Sequence, residues 1–112
     1  MKTRALLKLV LLGVWAVSCG APMTRGDQVA TLTGVAGTGK GVYTANCASC
    51  HGVDGKGTAS APGVDLTDHV KDHTEAVFLG FIIDGVKGTA MASYASLSDQ
   101  QLADLYVYIK SL

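Results

Sequence analysis

The alternation of apolar and polar residues is most regular at the C-terminal end of the chain. In "LSDQQLADLYVYIKSL", residues 97–112, Leu102, Leu105, Ile109 and Leu112 recur at three- and four-residue steps, the spacing of one helix face. Ser98 followed three residues later by Gln101 forms a capping box, and Leu97 and Leu102 take the positions of a hydrophobic staple. A second helix is predicted in "DHTEAVFLGFIIDG", residues 72–85. Asp72 and Glu75 offer its capping pair, Val77, Phe78, Phe81 and Ile82 its apolar face, and Gly85 its stop. Another helix runs from about Thr38 to Ala48 and delivers a cysteine pair at its C-terminal end. Gly-rich loops at 52–63 and 85–90 separate these helices, and no stretch carries a strand signal. The predicted fold class is all-α.

The N-terminal residues break this rhythm. Residues 1–18 place Lys2, Arg4 and Lys8 before an apolar run from Leu9 to Val17 and a small residue, Ser18, which is the layout of a secretory signal. The run is about half the roughly 20 residues needed to cross a bilayer. It lacks the periodicity of a buried core helix. Residues 19–37, "CGAPMTRGDQVATLTGVAG", are rich in Gly, Thr and Ala and read as a flexible tether. Fully extended, such a tether reaches a few tens of ångströms, at about 3.3 Å per residue. The compact domain is then expected at 38–112, about 75 residues, a size at which a covalent or metal staple usually supports the core.

Charge narrows the partners. The whole chain balances nine Lys/Arg against nine Asp/Glu, but three of the basic residues lie in the signal, so the remainder carries six against nine. A net charge of −3 by that count offers nothing to neutralise a run of phosphates, which excludes a nucleic-acid partner. Asp65, Asp68, Asp72 and Glu75 form an acidic stretch at roughly helical spacing, read as a solvated face.

Export implies an oxidising compartment, and three cysteines cannot all pair. "AVSC" at residues 16–19 resembles the lipobox of bacterial lipoproteins, with Ala16 where that family usually has Leu. That resemblance implies cleavage before Cys19, a lipid on its sulfur, and attachment to the periplasmic side of a bacterial membrane.

The other two cysteines stand in "NCASCHGVDGKG" as Cys47, Cys50 and His51, a C-x-x-C-H triplet. Two thiols three apart near a helix end reach two neighbouring vinyl groups of a porphyrin edge, and the adjacent imidazole then lies under the ring where it can ligate iron. This is the attachment pattern of haem c. A zinc site would need four ligands, and His69 and His73 are the remaining candidates for a Cys₂His₂ set. A thioredoxin-like dithiol would need a βαβ surround, which is missing. The iron then needs a second axial ligand. Met91, 40 positions beyond His51 in "VKGTAMASY", offers a soft thioether that favours ferrous iron, although a gap-filling core methionine has the same look. Met23 lies in the tether, and His69 or His73 would make a bis-histidine iron.

With these residues in place, residues 38–112 resemble the small class I c-type cytochromes. Gly39 and Tyr43 in "GKGVYTANCASCHGVDGKG" fall where that family has the Gly and aromatic residue of its first helix, and Leu105 and Tyr108 fall where its last helix crosses. The resemblance implies a cytochrome c fold of about three to five short helices around one covalent haem c. Cys47 and Cys50 become its anchors, and His51 and Met91 its axial ligands. Pro62 falls where the family's proline carbonyl accepts the Nδ1–H of the proximal histidine. The family often has Pro directly after the ligand methionine; here Ala92 follows, then Tyr94 two residues on, able to pack on the haem edge or donate a hydrogen bond.

The function these readings imply is one-electron transfer by an exported, membrane-tethered carrier between a redox-protein donor and acceptor. It is not an enzyme in its own right, although it could serve as a subunit of an oxidoreductase. The alternative is a small-ligand-binding or peroxidase-like haem protein whose sixth ligand is displaceable.

Overall fold

A computed structural model describes residues 22–59 and 64–112. The signal, Cys19 and Pro62 lie outside the described residues. Six helices follow one another: α1 Arg25–Val29, α2 Ala36–Asn46, α3 Ala48–His51, α4 Leu66–Asp72, α5 Glu75–Asp84 and α6 Asp99–Ser111. No strand element occurs among the described residues.

Helix α6 forms as its local signals require. Ser98 Oγ accepts the Gln101 N–H at 3.1 Å, and Gln101 Oε1 accepts the Ser98 N–H at 2.9 Å. Leu102, Leu105 and Ile109 are buried, whereas Leu112 is partly exposed at the chain end. Helix α2 crosses α6 at Gly39, where a Cβ would lie 1.9 Å from the Asp104 carbonyl oxygen. A residue without a side chain is what allows this approach. Above the crossing, the Tyr43 and Tyr108 rings pack with centroids 5.3 Å apart.

Buried Asp104 joins the same two helices. Its Oδ1 accepts the Val35 N–H at 2.8 Å and the Gln100 amide at 2.9 Å. Val35 caps α2 without any side-chain hydrogen bond of its own, so a carboxylate from α6 serves an orphan donor at the positive end of α2.

The expected helix over 38–48 is two pieces, broken at Cys47, where the backbone turns to φ −119°. Helix α4, absent from the expected helices, carries most of the acidic stretch: Asp65 caps it by accepting the Thr67 N–H at 2.9 Å, Asp68 and Asp72 face solvent, and Leu66 and Val70 face the core. Asp72 ends α4 rather than starting α5. Thr74 caps α5 instead, its Oγ accepting the Val77 N–H at 3.4 Å.

The apolar face of α5 also differs from expectation. Val77 is half exposed, whereas Leu79 and Ile83 join Phe78 and Ile82 in the core. The reason is that α5 is packed on opposite sides, so its apolar residues do not fall into one stripe. One of those sides carries α1, in the segment expected to be a flexible tether. Residues 24–35 instead fold onto the domain. Thr24 and Asp27 form a reciprocal capping box, Val29 is fully buried, and Gly26 sits so close to α5 that a Cβ would meet the Ala76 carbonyl oxygen at 2.4 Å. A five-residue helix cannot stand alone in water, so these contacts are what hold it.

Candidate haem site

A cavity of about 750 Å³ opens between the cysteine triplet, the inner side of α5 and the loop that precedes α6. Cys47, Cys50 and His51 form one part of its lining, and Met91 with its neighbours Ala90 and Ala92 another. Phe78, Phe81 and Ile82 supply an apolar wall from α5, and α4 contributes Asp68 and His69. All four residues expected at the cofactor therefore line one cavity, although Met91 stands 40 positions from His51.

The triplet is shaped by backbone bonds. The His51 N–H donates to the Cys47 carbonyl at 2.9 Å, and α3 then stops at Gly52, whose φ of +80° suits glycine. The chain turns back so that the Gly57 N–H donates to the His51 carbonyl at 2.8 Å, and Tyr43 from α2 donates its hydroxyl to the Gly52 carbonyl at 2.5 Å. Thr58 Oγ reaches the Cys50 carbonyl at 3.1 Å. The ring of His51 thus rests on a loop held from both sides.

The Met91 loop is tied just as closely. Gly85 leaves α5 at φ +71°, with no room for a Cβ against the Met91 carbonyl at 2.8 Å. Ser93 Oγ donates to the Ile83 carbonyl at 2.6 Å, and the Tyr94 N–H donates to the Ile82 carbonyl at 2.9 Å. The Tyr94 hydroxyl crosses to the Asn46 carbonyl at 3.0 Å, one residue before Cys47. Tyr94 therefore links the two parts of the site directly, the hydrogen-bonding role expected of it. Without proline after Met91, these bonds restrain the loop.

Burial sets the protonation of the donors. It pushes the Cys47 thiol up to about 11, while Cys50 is exposed, and both thiols are free rather than joined. It also lowers the pKa of His51, which favours the neutral imidazole that binds metals. His51 Nδ1 is buried with no hydrogen-bond partner among the described residues. The carbonyl expected to serve it belongs to Pro62, outside those residues.

Two free thiols, a neutral imidazole and a thioether around an apolar cavity fit a covalently attached iron porphyrin. They do not fit zinc: no three His, Cys, Asp or Glu side chains gather to hold a metal among the described residues. His69 and His73 instead stack edge to face, centroids 4.5 Å apart, and both pack on Phe81. No local sequence pattern marks Arg25 or Asn46 as a contributor to this region. The Arg25 contacts reach across more than 70 positions, which no local pattern announces.

Fold, cavity and family define the class: a small monohaem c-type cytochrome, all-α, with one covalently bound haem c. A family model described as "Cytochrome C oxidase, cbb3-type, subunit III" matches residues 34–109, and the chain belongs to that family. Among curated proteins it is similar to the cbb3-type cytochrome c oxidase subunit FixP of Rhizobium etli, 33% identical over 81 residues. It is equally similar to the subunit FixPc of Rhizobium leguminosarum bv. viciae, 33% identical over 81 residues. In each case the match covers 70% of this chain but 28% of the relative. No solved structure matches.

Proposed function

We propose that this cytochrome is an exported electron carrier, held by a lipid on Cys19 at the periplasmic side of a bacterial membrane, and that it exchanges electrons with redox proteins of an oxidase system. The convergence of Cys47, Cys50, His51 and Met91 on one cavity carries this reading. The two relatives named as oxidase subunits support the choice of partner class. Among the described residues no helix is long and apolar enough to cross a membrane.

When bound, haem c supplies an iron that cycles between ferric and ferrous states, one electron at a time. Cys47 and Cys50 would hold it through thioether bonds, the thiol S–H of each adding across a vinyl C=C. His51 offers a neutral imidazole nitrogen, and Met91 a thioether that favours the ferrous state. Phe78, Phe81 and Ile82 line the cavity and would keep water from a bound ring, limiting the reorganisation that accompanies electron transfer.

The protein should be made in a host competent for cytochrome c maturation. Haem stain should stay with the polypeptide on a denaturing, reducing gel, and its loss there would refute covalent attachment. The oxidised protein should show the weak near-red methionine–iron charge-transfer band at neutral pH. A high-spin spectrum with rapid carbon monoxide binding would favour the ligand-binding alternative instead. Met91→Ala should keep the haem attached, lower the reduction potential and open the sixth position; an unchanged potential removes Met91 from the iron. Cys19→Ser should move the protein to the soluble fraction, and continued membrane association would remove the lipid anchor.

A further inference from the structure

Helix α1 touches both elements that bracket the Met91 loop. On one side, Gly26 lies against the Ala76 carbonyl of α5, and the groove between the two helices is lined by Ala76, Gly80 and Ile83. These residues project from α5 nearly opposite to Phe78, Phe81 and Ile82, which line the cavity, as 100° per residue requires. On the other side, the Arg25 guanidinium spans the turn that follows the loop. It donates to the Ala95 carbonyl at 2.6 Å, to the Leu97 carbonyl at 2.5 Å, and through Nε to Asp99 Oδ1 at 2.8 Å. That turn is closed by the Leu97 N–H on the Tyr94 carbonyl, and Tyr94 is three residues beyond Met91.

We infer that Arg25 is a positioning residue for the Met91 loop: it latches the turn 94–97 to α1 and so holds Met91 against displacement from the haem cavity. The inference rests on the reading of Met91 as the distal ligand. A planar fork with several donors suits this role, because it binds two backbone carbonyls and one carboxylate at once. An ammonium on a flexible stem reproduces the charge but not the fork. Arg25 lies outside residues 34–109, the region that matches the family model.

The full chain with haem attached provides the test. Exogenous imidazole binds oxidised iron only after the distal ligand leaves, so its limiting rate at saturation reads loop opening. Arg25→Gln should raise that rate by roughly 10-fold or more, since charge-assisted bonds to two carbonyls and a carboxylate are lost. Arg25→Lys should resemble Arg25→Gln. Full rescue by lysine would assign the effect to the Asp99 ion pair and overturn the latch on the carbonyls. Gly39→Ala weakens the domain at a distance from the loop; an equal acceleration there at matched stability would show a global effect and also overturn it. Amide hydrogen exchange reads the latch without reference to the iron. The Met91 and Tyr94 amides should exchange faster in Arg25→Gln, and unchanged protection would refute the inference. If the wild type lacks the methionine charge-transfer band while those amides still respond, the ligand reading fails and the restraint on the loop stands.

Discussion

Three glycines at alternate positions of α2 provide an internal comparison of what one methyl group does at this fold's main helix crossing. A Cβ on Gly39 would lie 1.9 Å from the Asp104 carbonyl oxygen, 2.5 Å from its carbon and 2.9 Å from Tyr108 Cβ. A carbon–oxygen contact needs about 3.3 Å, so α2 and α6 must part by about 1.4 Å. The obstructing atoms are mainly backbone of a helix, which cannot rotate aside as a side chain would. Overpacking of this kind costs about 1–3 kcal/mol, and the absence of a rotatable obstacle points to the upper end. Against it stands a gain of about 1 kcal/mol from replacing glycine with alanine in a helix. Gly39→Ala should therefore lose about 2 kcal/mol. Gly37 and Gly41 have nothing within 4 Å of the position a Cβ would take. Gly41→Ala, in the helix interior, should gain about 0.5–1 kcal/mol, and Gly37→Ala, in the first turn, somewhat less. The haem-loaded proteins would be melted by heat and by urea and followed by far-ultraviolet circular dichroism. At about 4–8 °C per kcal/mol for a domain of this size, Gly39→Ala should melt roughly 10 °C lower and Gly41→Ala a few degrees higher. Equal stability of Gly39→Ala and wild type would refute the close crossing, as would equal losses at all three positions.

Other consequences can be checked with the same melts. Asp104→Ala leaves the Val35 N–H without its acceptor and the Gln100 amide with the Thr33 carbonyl alone, and should cost about 2 kcal/mol. Asp104→Asn, which keeps an oxygen, should cost less than half of that; equal losses would assign the effect to charge alone. Tyr94→Phe removes the hydroxyl that donates to the Asn46 carbonyl and should cost about 1 kcal/mol, with an unchanged urea midpoint counting against the link. Hydrogen bonds from the Thr24 side chain and then its backbone hold the Asp27 carboxyl below its ordinary range. Its contribution to stability is therefore present above the unfolded value of about 3.9 and is lost as pH falls through the folded value. Asp27→Asn should flatten the acid limb of the stability profile below that pH, and an unchanged limb would dismiss the capping box as a contributor.

What could be read from the sequence was what local chemistry encodes. Ser98 and Gln101 lie three residues apart and specify the start of α6 by themselves. Cys47, Cys50 and His51 lie within one turn, so the haem signature needs no fold to be recognised. The rest depended on contacts between distant segments. Helix α1 carries a capping pair in Thr24 and Asp27, but five residues gain helicity only by burying Val29 and packing Gly26 on α5. Val77 looked like core because α5 is apolar almost all round, and periodicity loses its meaning when two opposite faces have neighbours. Helix α4 was masked by its acidic residues, although Asp65 is its cap. Met91 stood out because an iron with one ligand asks for another, a chemical requirement rather than a pattern.

The docking of α1 changes how far this domain can travel from its proposed lipid. Chain from Cys19 to residue 38 could extend to about 65 Å, but with α1 seated only the five steps from Cys19 to Thr24 remain, about 17 Å at full stretch. The accessible volume scales with the cube of that radius and shrinks by roughly 50-fold, and the local concentration seen by a membrane partner within reach rises by the same factor. A partner whose docking face lies farther out meets the domain only if α1 lets go. With a lipid on Cys19, the seated helix would make the cytochrome a resident of one neighbourhood rather than a traveller between several.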